Sequence, residues 1–128
     1  EGLQKLEVAM ETHVAGLRRA VEAGVRIAMG TDSTGTMCPV GEHALELELY
    51  VEVAGMTPTQ ALRAATMTAA EAMDVEAEIG SLETGKRADV VVVRGDPTVD
   101  ITSLRRPGAI HSVYRDGREV LAGLSALV

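Results

Sequence analysis

Apolar positions along the first part of the chain fall into two periodicities. Leu3, Leu6, Met10, Val14, Leu17 and Val21 recur at three- and four-residue steps, which predicts one apolar face on a helix from Leu3 to Ala23. Gly24 supplies its C-terminal stop. Val25-Arg26-Ile27-Ala28-Met29 is short, largely apolar and bounded by glycines, and reads as a buried strand ending at Gly30. From Ala44 to Ala54 the signals compete. Leu45, Leu47, Leu49, Val51 and Val53 alternate with Glu46, Glu48, Tyr50 and Glu52 as in a half-buried strand, whereas the Ala, Leu and Glu content favours helix. The helix reading is adopted on that propensity.

Two further helix starts carry capping chemistry. Thr57-Pro58-Thr59-Gln60 places a hydroxyl, a proline at the first helical position and a Gln at the third, and Thr68-Ala69-Ala70-Glu71 repeats the device. Helices from about Pro58 to Ala65 and Ala69 to Met73 therefore meet at a corner. After Glu78 the pattern changes. Gly80, Gly85, Gly95-Asp96-Pro97, Pro107-Gly108 and Asp116-Gly117 punctuate short apolar runs, of which Asp89-Val90-Val91-Val92-Val93 is the most strand-like. Asp116-Gly117, between Val113-Tyr114-Arg115 and Arg118-Glu119-Val120, signals a two-residue hairpin. A boundary near Ile79 thus divides residues 1–78 from a β-rich segment, 79–128.

Composition narrows the function classes. The chain has no Phe or Trp and only Tyr50 and Tyr114, so the core is aliphatic, with Met67 and Met73 as filler, and stacking platforms for single-stranded nucleic acid are missing. A net charge of -7 repels phosphate backbones, and Lys86-Arg87 and Arg105-Arg106 are too short to reverse that field; the second pair reads as solvated surface. Nucleic acid is therefore not an expected partner. No apolar run approaches ~18 residues and no basic-plus-apolar leader is present, so neither a membrane span nor a signal peptide is expected. Cys38 is the single cysteine. It excludes an internal disulfide and suits a cytoplasmic protein.

Candidate chemistry centres on Gly30-Thr31-Asp32-Ser33-Thr34-Gly35. Asp32 follows the expected strand directly, at the strand end where α/β folds collect ligands and barrels place catalytic groups. Spacing alone leaves a second reading open, in which Asp32 orders the turn through backbone hydrogen bonds. Gly80 to Lys86 has the glycine and lysine spacing of a phosphate-binding loop, but Arg87 replaces the required hydroxyl residue and a strand follows where a helix is needed. Ser33 lacks the flanking glycines of a nucleophile elbow. Cys38, with His43 nearby in sequence, reads first as a small buried hydrophobe.

Val25 to Ser33, then Glu46-Leu47 with Ala54-Gly55-Met56-Thr57-Pro58, then Ala61-Leu62-Arg63-Ala64-Ala65-Thr66 with Ala69-Ala70-Glu71, resemble the C-terminal part of the amidohydrolase superfamily. Ile79 to Asp89, Gly95-Asp96-Pro97 and Val113 to Arg118 extend the resemblance over about residues 20–122. The cyclic-amide hydrolases of the imidazolonepropionase type and the metal-dependent dipeptidases and carboxypeptidases are the most similar groups. The resemblance implies an α/β fold: the last strand and helices of a (β/α)8 barrel over residues 1–78, then strands of a small composite β-sandwich over 79–128. It also implies that Asp32 binds a divalent metal, zinc foremost, and acts as general base toward metal-bound water.

Carboxylate and metal belong together chemically, because a divalent ion lowers the pKa of bound water to ~7 and an adjacent base can move the released proton to the leaving nitrogen. The implied reaction is hydrolysis of a C-N bond in a cyclic amide or peptide-like small molecule. The family's His-x-His pair, carboxylated Lys or Glu and two further His are not visible, since His13, His43 and His111 are scattered, and Val40-Gly41 stands where relatives carry His-Gly. A zinc site needs three or four convergent ligands. The expectation is therefore a catalytically incomplete portion of such an enzyme, completed by a missing N-terminal part or covered by self-association. Its alternative is a purely structural or self-association module.

Overall fold

The computed structural model describes residues 2–33 and 41–122. Thr34, Gly35, Cys38 and Val40 lie outside them. The chain forms α1 (Gly2–Glu22), α2 (Ala44–Glu52), α3 (Pro58–Ala65), α4 (Met67–Ala72), β1 (Val90–Val93), a 3-10 turn (Ile101–Arg105), β2 (Ile110–Arg115) and β3 (Arg118–Ala122).

Each helix end reflects local chemistry. At the end of α1, the Val25 amide donates to Ala20 O at 2.9 Å and the Gly24 amide to Val21 O at 3.0 Å, with Gly24 at φ 75. This is the left-handed glycine stop that the sequence signals. The Thr57 hydroxyl accepts from the Gln60 amide, and Gln60 Oε1 accepts from the Thr57 amide at 2.8 Å, so the first capping box forms. The second does not. Helix α4 starts at Met67 with Thr66 before it, no side-chain cap bond forms, and the Thr66 hydroxyl donates back to Leu62 O. Only one residue separates α3 from α4, so the Ala70 amide finds Thr66 O, and Thr68 is already inside the helix.

Between Ala44 and Ala54 helix wins because packing selects one face. Leu47, Tyr50 and Ala54 are buried at three- and four-residue spacing, while Leu49 stays 41% exposed. The core joins Leu47, Tyr50, Met56, Ala61, Ala64 and Ile101, with Leu17, Val21, Ile27 and Met29 against it. Met56 fills that core as an aliphatic chain requires, but Met73 is 61% exposed. It lies just past the end of α4, beyond the buried face that Ala70 marks.

The sheet has the order β1-β2-β3, antiparallel throughout, with Val90 opposite Tyr114 and Arg115 opposite Arg118. Asp116 (φ 49) and Gly117 (φ 74) form the hairpin tip, where two consecutive left-handed residues match the twist of the strands. Residues before β1 grip that tip: Gly117 N donates to Ala88 O, Asp116 N to Asp89 Oδ1, and Arg87 pairs with Asp116 at 2.9 Å. The 3-10 turn returns to the helices, inserting Ile101 beside Leu47 and Tyr50. Arg105 is held there by Glu48 at 2.9 Å and Glu42 at 3.4 Å, and Arg106 pairs with Asp100. These arginines are surface residues with fixed carboxylate partners instead of a free solvated pair.

Val25 to Met29 departs most from expectation, because no described strand pairs with it. The segment has no regular secondary structure, and the Met29 amide donates to Ala64 O at 3.0 Å. A strand is defined by its hydrogen-bonding neighbours, and the described residues provide none on either side. Nor is it buried on both faces, since Val25 is 56% exposed. Among the described residues, no helix is long and apolar enough to cross a membrane.

Candidate functional site

Residues 25–33 lie along the helical layer with a two-residue rhythm. Ile27, Met29, Thr31 and Ser33 are half-buried, whereas Arg26, Ala28, Gly30 and Asp32 are exposed. Ile27 and Met29 pack against the core cluster. Asp32 therefore belongs to the opposite, open face. Its backbone adopts φ 45, a left-handed conformation that aspartate tolerates better than most side chains. No described residue hydrogen-bonds or ion-pairs with its carboxylate. That fits a metal ligand or proton acceptor, since both roles require an uncommitted oxygen.

The other candidate ligands do not converge on it. His13 is exposed on α1, His43 precedes α2 without capping it, and His111 lies on β2, where Arg94 approaches its Nδ1 at 3.2 Å. Among the described residues, no group of three His, Cys, Asp or Glu side chains could hold a metal ion. The donor chemistry at Asp32 thus fits one ligand of a divalent-metal site. Any further ligands of such a site would come from outside the described residues.

Where the phosphate-loop spacing occurs, the structure has a self-contained turn. Lys86 Nζ donates to Ser81 Oγ at 2.6 Å, Ser81 donates to Glu83, and Lys86 lies 3.4 Å from Glu83. The Ser81 hydroxyl, followed by Lys86, holds the Glu83 carboxyl below its ordinary range. This network uses the polar groups internally and leaves none arranged to cradle phosphate. Beside it, an apolar cleft of about 590 Å³ opens between the helices and the sheet, with Met29, Leu47, Met73, Leu82, Val91 and Leu104 in its walls. Asp32 is not among its lining residues.

Sequence reasoning missed the contacts that fix the Asp32-bearing segment. Arg26 pairs with Glu71 on α4 at 2.7 Å, and Met29 is tied to Ala64. Both partners lie far along the chain, and no local pattern marks such pairs.

The chain belongs to the amidohydrolase family, whose sequence pattern matches residues 3–120. It is 37% identical to ochratoxinase of Aspergillus niger over 119 residues, which cover 92% of this chain and 24% of that protein. It is 36% identical to imidazolonepropionase of Symbiobacterium thermophilum over 112 residues, 88% of this chain and 26% of the relative.

The fold agrees. The crystal structure of A. niger ochratoxinase superposes with a TM-score of 0.83 at 33% identity, covering 98% of this chain and 30% of the other. A Xaa-Pro dipeptidase with methionine bound in its active site gives 0.72 at 34% identity over 83% of this chain and 25% of that one. The chain spans about a quarter of the length of the curated relatives it matches.

Proposed function

We propose that this chain is the C-terminal portion of a metal-dependent amidohydrolase that cleaves a C-N bond in a small cyclic amide or peptide-like substrate. In that reading residues 1–78 complete a (β/α)8 barrel and 79–128 contribute to a composite β-sandwich. Asp32 is one metal ligand and the proton acceptor. A divalent metal held there, zinc foremost, would supply water acidified toward neutral pH. Asp32 would take up a proton at a carboxylate oxygen and return it to the departing nitrogen. The observation that carries this reading is the placement of Asp32: exposed, with no partner for its carboxylate among the described residues, and on the face of its segment turned away from the helices. The enzyme would work in the cytoplasm, which its lone Cys38 suits.

The test is a chimera in which residues 3–120 replace the matching quarter of A. niger ochratoxinase. Asn tolerates the left-handed backbone at position 32, so Asp32→Asn removes the charge without adding strain. A rate loss of about 10²-fold to 10⁴-fold is expected. An unchanged rate would reduce Asp32 to a turn residue.

A second reading, self-association of the isolated chain, is favoured by the apolar cleft and by the exposed Val91 and Val92 of edge strand β1. Sedimentation equilibrium should then show species larger than 13.4 kDa at micromolar concentration. A compact, cooperatively unfolding monomer would contradict it.

A further inference from the structure

Among the described residues, the segment that carries Asp32 has no strand neighbours, yet three features set its course. The glycine stop at Gly24 fixes where it leaves α1. Met29 N to Ala64 O then attaches its middle to the end of α3, and Arg26 to Glu71 attaches its beginning to α4. The last differs in kind from the other two, because it depends on two particular side chains that no helix-capping or strand rule demands. The Arg26 side chain is 76% exposed, while that of Glu71 is only 21% exposed. Glu71 is therefore the fixed end, anchored on α4, and Arg26 is the arm that reaches it from the segment's open face.

We propose that Glu71 is a positioning residue: through Arg26 it holds residues 25–32 on the α3–α4 corner, and so fixes where the Asp32 carboxylate projects. The meaning of this clamp for catalysis rests on the role proposed above for Asp32. The clamp itself does not, and it is testable in the chain as it stands. Two hydrogen-bonding attachments three residues apart define a direction as well as a point. Arg26 and Met29 make such a pair, and Asp32 lies three residues further along the chain. Loss of the first attachment leaves the segment hinged at Met29, with freedom to rotate over the helices.

Amide hydrogen exchange followed residue by residue reads this directly. A pair of this exposure contributes up to about 1 kcal/mol, equivalent to about a fivefold change in a local opening equilibrium. Glu71→Gln should therefore speed exchange at the Met29 amide by up to about fivefold, while the Val113 amide in the sheet is unchanged. Concentrated salt, which screens the pair, should reduce the difference between the two proteins. The charge-swapped double variant Arg26→Glu with Glu71→Arg should restore slow exchange at Met29, which a merely structural loss at either position would not do.

Unchanged exchange at Met29 in Glu71→Gln would overturn the proposal, as would failure of the swapped pair to restore it while Val113 stays protected. Neither result depends on Asp32, so the clamp and the catalytic reading stand or fall separately.

Discussion

A Cβ placed on Gly80 would sit 2.8 Å from the Cβ of Ala70, and 3.1 Å from the Cα of Met67. The turn that opens the β-rich half is thus pressed against the first residues of α4. Gly80 also has φ 94, where any side chain is strained. Gly80→Ala should destabilise the chain by about 1–3 kcal/mol, since backbone and a short side chain cannot yield to the new methyl. Gly85→Ala provides the control, because Gly85 shares a left-handed φ of 95 but has nothing within 4 Å of its Cβ direction. Chemical denaturation should show the larger loss at Gly80; equal losses would mean that only backbone strain operates.

Ile101, at 3% exposure, comes from the β-rich half but packs in the core beside Leu47 and Tyr50. Ile101→Ala should cost about 2–5 kcal/mol, the usual range for emptying a buried aliphatic site. Circular dichroism of the helices and tyrosine absorbance should lose structure in one coincident transition. Two separated transitions would mean that residues 79–128 fold independently of α2.

Burial, then the charge of Glu46 and a hydrogen bond to it, push the Tyr50 hydroxyl up from 10.0 to about 12. Because the folded value exceeds the unfolded one, the stabilisation is complete below pH 10.0 and is lost as pH rises toward about 12. In a Tyr114→Phe background, phenolate absorbance reports Tyr50 alone. Glu46→Gln should move its titration to lower pH, and a titration at the ordinary tyrosine value in the parent would contradict the burial.

The legible parts of the fold were those with a local cause. Gly24, the Thr57–Gln60 box and Asp116-Gly117 each specify backbone geometry within a few residues, and each formed where the sequence placed it. Thr68–Glu71 had the same letters as a capping box but sat inside a helix begun one residue earlier, at Met67, because the α3–α4 corner left no room for a separate cap. Val25 to Met29 failed as a strand for the opposite reason: strand pairing is non-local, and the partners are not among the described residues. At the candidate site, Asp32 was singled out by its position after an apolar run, and its role stays a proposal, while Arg26–Glu71 required the fold to bring together residues 45 apart in sequence.

In the proposed function, Asp32 is one ligand of a metal site whose other ligands would lie outside the described residues. Metal content per chain tests it most directly, measured after dialysis with zinc for the isolated chain, for the ochratoxinase chimera and for its Asp32→Ala variant. The account predicts little bound zinc in the isolated chain, zinc retained by the chimera, and a marked fall in both zinc and turnover on Asp32→Ala. Equal zinc content and turnover in the chimera with and without the Asp32 carboxylate would contradict it.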